Sequence, residues 1–293
     1  MRVSRLFGAA AVGTALLVSV AACGSSSSDT AKSSPAKSSG HGMSAQEMKC
    51  MDKHYSADHA KMCPDAAPEA KPYTLAKPLT YQADGLVDPN SVDLSGVAGV
   101  GPAQQAEAEK LLVSTIKTLP KWNDIEKAKA GGFQSIGDGP TGEEHLLHWD
   151  WINDDTMFDP NQPESLVYKV DRVTKAKTLE AAMYILPEKY TLENPPSIDS
   201  PLVQFHYHDN LCFTAATATE GPQVRGLVDA SGNCGKSPFG GQQLTKFNPN
   251  IQVHVWIRKN ECGPFAALLG VGAGQIKGGA ERSCVKDHSE LGL

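Results

Sequence analysis

The stretch SLVYKVDRVTKAKTLEAAMYIL, residues 165–186, decides the fold class. Two runs of aliphatic, aromatic and β-branched residues, 165–172 and 178–186, flank a basic turn, the pattern of a β-hairpin. Three further strand-like segments follow: PLVQFHYHD (201–209), QVRGLVDASGNC (223–234) and IQVHVWI (251–257), separated by stretches rich in Gly, Pro and Asn. Upstream of the hairpin the period changes. In AQQAEAEKLLVSTIKTL (103–119), Leu111, Leu112, Thr115, Ile116 and Leu119 form one apolar helical stripe that Pro120 interrupts. In KWNDIEKAKAGGF (121–133), Trp122, Ile125 and Ala128 point inward and Gly131-Gly132 end the helix as a glycine C-cap. Helices first and strands after predict an α+β domain over residues 79–293, with a mostly antiparallel sheet or a small barrel. That length suffices for one sizeable core.

The strands carry an unusual complement of histidine. Successive strand side chains point to opposite faces, so Val203, Phe205 and Tyr207 share one face while Gln204, His206 and His208 share the other. In IQVHVWI, Ile251, Val253, Val255 and Ile257 form the core row, and His254 lies opposite with Gln252 and Trp256. If these two strands are neighbours, three imidazoles converge, the donor set of a mononuclear Zn, Cu, Fe or Mn site. A fourth donor is offered by GEEHLLHWDW (142–151), where Glu144 or His145 would complete the set. The segment is not the HExxH of zinc proteases, since its acids precede the first histidine and its histidines are three apart. On a helix His145 and His148 would share a face; on a strand they would not. The bland alternative throughout is a polar sheet face of hydrogen-bonded histidines.

A His-x-His pair on one strand with a later strand histidine resembles the metal site of the cupin barrels. That resemblance implies metal ligation by His206, His208 and His254 and extends no further. The cupin glutamate after the second histidine is replaced by Asp209 and Asn210, and the glycines and proline before the last histidine are missing. AKAGGF, GEEH and PESLVY together also resemble a group of extracytoplasmic bacterial proteins, which implies one continuous domain and carries no activity.

The N-terminal segment MRVSRLFGAAAVGTALLVSVAAC (1–23) places Arg2 and Arg5 before an uncharged apolar run, the layout of an export signal over residues 1–22. Its end, Val20-Ala21-Ala22-Cys23, resembles the lipobox of bacterial lipoproteins, which implies that Cys23 is acylated and holds the chain to the cell membrane on the extracytoplasmic face. Residues 23–40 contain Ser, Ala, Lys, Gly and Pro and no large apolar side chain, so they read as a disordered tether. Residues 64–78 are a Pro/Ala-rich linker.

Between tether and linker, HGMSAQEMKCMDKHYSADHAKMC (41–63) holds four of the seven methionines and three of the nine histidines. Ser44 with Glu47 forms a capping box, and a Cys50–Cys63 disulfide would staple a helical hairpin. Met48, Met51 and His54 fall on one helical face, as do His59 and Met62. Thioether with imidazole suits Cu(I) and makes a second, soft-metal site; plain packing of a small hairpin is the alternative.

Cleavage at Cys23 would take two arginines from the 27 Lys+Arg, leaving 25 against 33 Asp+Glu, a formal charge of −8. Such a chain repels nucleic acid and anionic headgroups, so acyl chains are the expected membrane contact. Of seven cysteines, six remain after Cys23, and an oxidising compartment favours disulfides; neighbour pairing (50 with 63, 212 with 234, 262 with 284) is the simplest arrangement. The Gly-rich GVGAGQIKGG from Gly270 lacks a Walker lysine and reads as a loop. The expected function is transition-metal binding, copper or zinc first, with iron or manganese open. The alternatives are a cupin-like metal-dependent hydrolase or oxygenase, and a metal-free envelope interaction protein presenting Trp149, Trp151 and Trp256.

Overall fold

The computed structural model describes residues 75–267 except 153, 230, 239 and 247–249. The signal segment, the tether and the 41–63 hairpin, with Cys23, Met48, Met51, His54, His59 and Met62, lie outside the described residues. The end of the Pro/Ala-rich linker is packed: Leu75 rests on the core and the Ala76 N–H donates to the Ser95 carbonyl at 2.8 Å.

Helix α1, Pro102–Thr118, starts with proline at a position where a missing N–H is no loss. The Gln104 side chain reaches back to accept the Gly101 N–H at 2.9 Å. Ala108, Leu111, Leu112, Thr115 and Ile116 are buried, the expected stripe, and Pro120 diverts the chain into a 3₁₀ turn, Leu119–Trp122. Asp124 caps the short helix α2, Ile125–Ala130, by accepting the Glu126 N–H at 2.9 Å, and Gly131 closes it. Gly132 has φ of 101°, and a Cβ there would stand 2.6 Å from His148 Nε2, so only glycine fits.

Strands β1, Gln134–Ser135, and β2, Glu143–Leu147, come next, followed by a single helical turn, α3, Trp149–Ile152. The expected hairpin is present as β3, Ser165–Val170, and β4, Lys177–Ile185. Asp171 caps its turn by accepting the N–H groups of Val173 and Thr174. The remaining strands are β5, Leu211–Phe213; β6, Val224–Leu227; β7, Thr245–Lys246; and β8, Gln252–Trp256. They form two antiparallel sheets, β1-β2-β3-β4-β8 and β6-β5-β7, and the class is α+β as expected. Among the described residues the sheets stay open, so the small-barrel alternative does not hold.

The 201–209 segment is not a strand. Pro201 lacks a donor and sits in a turn closed by the Val203 N–H on the Ser200 carbonyl at 3.0 Å, which prevents a continuous ladder. Its extended part joins β8 through the bridge of His206 with Gln252, whose backbone bonds are 3.0 and 2.8 Å.

The five-stranded sheet is buried on both faces. One face, with Leu146, Leu166, Tyr168, Ala182, Tyr184, Val253 and Val255, packs with the α1 stripe and with Val203 and Phe205. Thr115 Oγ1 and Tyr184 Oη are hydrogen-bonded at 2.9 Å, and Tyr168 Oη donates to the Trp122 carbonyl at 2.5 Å, tying α1 and its turn to the hairpin. Leu112, Leu166 and Val253 are fully buried, each contributing about 2 kcal/mol. The other face, with Leu147, Val167, Ala181, Met183 and Trp256, packs with Phe213 and Val224 of the small sheet. Cys212 of β5 is bonded to Cys234 with a Cα separation of 5.6 Å, the neighbour pairing expected there, and Cys262 is also in a disulfide.

Candidate metal centre

The second face of the large sheet holds the histidines. The register runs His145, Val167, Ala181, Trp256 across β2, β3, β4 and β8, and His254 lies opposite Met183. In a flat sheet β2 and β8 would be about 14 Å apart, three interstrand spacings. Val167 and Ala181 are short, leaving room above them for two imidazoles to lean inward. They meet: His145 Nε2 and His254 Nε2 are 3.3 Å apart. The bridge between His206 and Gln252 sets His206 diagonally across from His254, and their rings stack at 5.1 Å between centroids, 17° from parallel. His208, two residues on, presents its ring to His206 at 5.5 Å and 90°. The four rings thus form a continuous chain, 145 to 254 to 206 to 208.

Asp138 holds His145 from behind. It precedes the 3₁₀ turn Gly139–Thr141; its Oδ1 accepts the His145 backbone N–H at 2.9 Å and its Oδ2 lies 2.5 Å from His145 Nδ1. Burial pulls the His145 pKa down, but the Asp138 charge and hydrogen bond, with the charges of Glu143 and Glu144, outweigh it and hold the pKa above the ordinary histidine value. His206 is oriented from the backbone: its Nδ1 is 3.2 Å from the Gln204 carbonyl, which can only accept, so Nδ1 carries the proton. Burial, helped by the charge of His145, lowers the His208 pKa to about 4 and leaves that ring neutral at pH 7.

These features can be set against the demands of a metal ion. Four imidazoles on a tetrahedral ion place their ligating nitrogens about 3.3 Å apart and their ring centroids about 5 Å apart, from metal–nitrogen distances of about 2.0–2.1 Å. The nitrogen separation of 3.3 Å and the centroid separations of 5.1–5.6 Å agree with that spacing. A ring N–H held by a carboxylate or a backbone carbonyl is also the usual support of a ligating histidine, and His145 and His206 both have it. Yet among the described residues no group of three or more His, Cys, Asp or Glu donors is gathered as a metal ion requires. The donor chemistry and the spacing of neighbouring rings fit; the convergence of a third nitrogen is incomplete.

Of the residues expected from sequence, His145, His206, His208 and His254 are brought together and Glu144 is not. Alternation along β2 sends Glu144 to the opposite face from His145, where its carboxylate pairs with Lys177 beneath Gly139. His148 is also apart from His145, as a strand demands. It stacks on Trp151 at 3.7 Å and 9°, meets Phe133 edge-on, and donates through Nε2 to the Gly131 carbonyl at 3.2 Å. Trp256 is 1% exposed and donates to the Ala266 carbonyl, so it is not a docking aromatic. Asp138 was not singled out in the sequence, where its turn, GDGP, looks like any other loop.

A cleft of about 360 Å³ lies elsewhere, lined by Glu188, Tyr190, Leu192, Glu193, Tyr207 and Asn250 among others, and by none of the four histidines. No helix among the described residues is long and apolar enough to cross a membrane. No known protein family, curated protein or solved structure matches the chain.

Proposed function

We propose that this chain is a membrane-tethered extracytoplasmic lipoprotein, anchored through Cys23, that binds a transition-metal ion through His145, His206, His208 and His254. The observation that carries the reading is the contact of His145 Nε2 with His254 Nε2 at 3.3 Å inside a chain of four imidazole rings. Two or more imidazoles with nitrogen donors suit zinc or copper. Their neighbours hold the rings in place: Asp138 and the Gln204 carbonyl take the Nδ1 protons of His145 and His206, leaving Nε2 as the ligating atom of each. A hydrogen bond across the 3.3 Å between His145 Nε2 and His254 Nε2 needs one proton, which metal uptake would release to solvent.

Binding comes first and turnover second: an enzyme needs room for substrate beside its metal, and the 360 Å³ cleft is lined by Tyr207, the neighbour of His206 and His208, but by none of the four histidines. The test is elemental analysis by mass spectrometry of the exported full chain in detergent, beside a His206→Ala/His208→Ala variant. Stoichiometric zinc or copper lost in the variant supports the reading. Metal kept in the variant moves the site to Met48, Met51, His54, His59 and Met62, and metal in neither rejects it.

A further inference from the structure

The Gln252 carboxamide lies where His206 would meet a metal ion. Gln252 Nε2 is 3.3 Å from His206 Nε2. His206 Nδ1 donates to the Gln204 carbonyl, so in the neutral ring Nε2 is a lone pair, which the amide N–H₂ of Gln252 is placed to satisfy. The contact is built into the register. His206 and Gln252 form a backbone bridge between the 204–208 segment and β8, and side chains directly opposite on one face are near neighbours. Gln252 is only partly buried and therefore has room to move, whereas His206 is fully buried.

We infer that Gln252 latches His206, holding its Nε2 toward the amide and away from His145 and His254, so that a metal ion assembles the centre only by displacing this hydrogen bond. The inference rests on the metal-binding reading above. It also supplies a physical reason for the incomplete convergence of donors: the third nitrogen is engaged by an amide. The latch makes His206 the last ligand to join, after His145 and His254, whose nitrogens already stand at the required spacing.

The experiment is zinc binding to the exported full chain in detergent, by competition with a chromophoric chelator, with cobalt(II) absorption reporting coordination geometry. It compares the wild type with Gln252→Ala and Gln252→Leu; the leucine keeps most of the side-chain volume, and neither change touches the backbone bridge. One neutral hydrogen bond fewer to displace should tighten zinc binding about fivefold in both variants and speed association, with the cobalt spectrum unchanged. Equal affinity in wild type and variants overturns the latch. Weaker affinity with an altered cobalt spectrum also overturns it and makes Gln252 a ligand through its oxygen. No zinc or cobalt in any of the three proteins overturns the metal-binding reading, and the latch with it.

Discussion

His145 and Asp138 are joined twice, through the backbone N–H at 2.9 Å and the ring Nδ1 at 2.5 Å, so one carboxylate fixes both the strand position and the ring orientation of that histidine. Replacing Asp138 by Asn keeps an acceptor and removes the charge. Asp138→Asn should weaken zinc binding about 10- to 100-fold, the usual cost of losing such a partner, with far-ultraviolet circular dichroism unchanged. An affinity within twofold of wild type would show that Asp138 only shapes the turn.

Glu144 makes the opposite case. Its carboxylate belongs to Lys177 on the far face of β2. Glu144→Gln should leave metal stoichiometry and affinity unchanged while lowering the melting temperature, because Lys177 loses its partner. A loss of bound metal in this variant would return Glu144 to the ligand set.

Glu164 gives the fold a pH dependence of its own. Burial pushes its pKa up to about 8, and its Oε2 accepts the Ile185 N–H at 3.2 Å. Because the folded value lies above the unfolded one, the native state keeps a proton that the unfolded chain releases. Stability is therefore greatest below the unfolded pKa and falls as pH rises toward 8. At pH 7 the loss is about 3 kcal/mol. Glu164→Gln, which can still accept the Ile185 N–H, should be more stable than wild type at pH 7 in urea titrations, with the difference between the two widening as pH rises from 5 to 8. Parallel pH profiles for the two proteins would refute the assignment.

The Cys212–Cys234 disulfide spans 22 residues and begins four residues after His208. A Cys212→Ser/Cys234→Ser variant should lose about 3 kcal/mol of stability, measured by denaturant unfolding. It should also bind metal more weakly, since β5 no longer fixes the end of the 204–208 segment. Unchanged metal affinity would show that the bridge to β8 positions His208 unaided.

The helices and the hairpin were legible because each is written in local terms. The α1 stripe, the stop at Pro120 and the two runs around the Asp171 turn need only nearest-neighbour physics. The even spacing of His206 and His208 and the place of His254 in an alternating row likewise foretold a shared face. Two things were not legible. Residues 201–209 alternate like a strand, yet the turn at Pro201 breaks them into isolated bridges, among them that of His206 with Gln252 of β8, a tertiary outcome that periodicity does not carry. The other is the choice among Glu143, Glu144, His145 and His148, which depends on β2 being a strand and on which of its faces meets β8. Asp138 and Gln252 act only through partners distant in sequence, so no local signal marks them.

The pairing of β4 with β8 joins Ile185 to Gln252, and the His145–His254 contact spans 109 residues. The β3–β4 hairpin closes over a short turn, whereas β8 docks only after a long excursion has been gathered in. Loop-closure entropy disfavours early contacts of that kind, so the histidine cluster is expected to form late in folding. The apolar faces on either side of the sheet must therefore bring the chain to its native form unaided, and a metal ion would enter a finished protein rather than nucleate one.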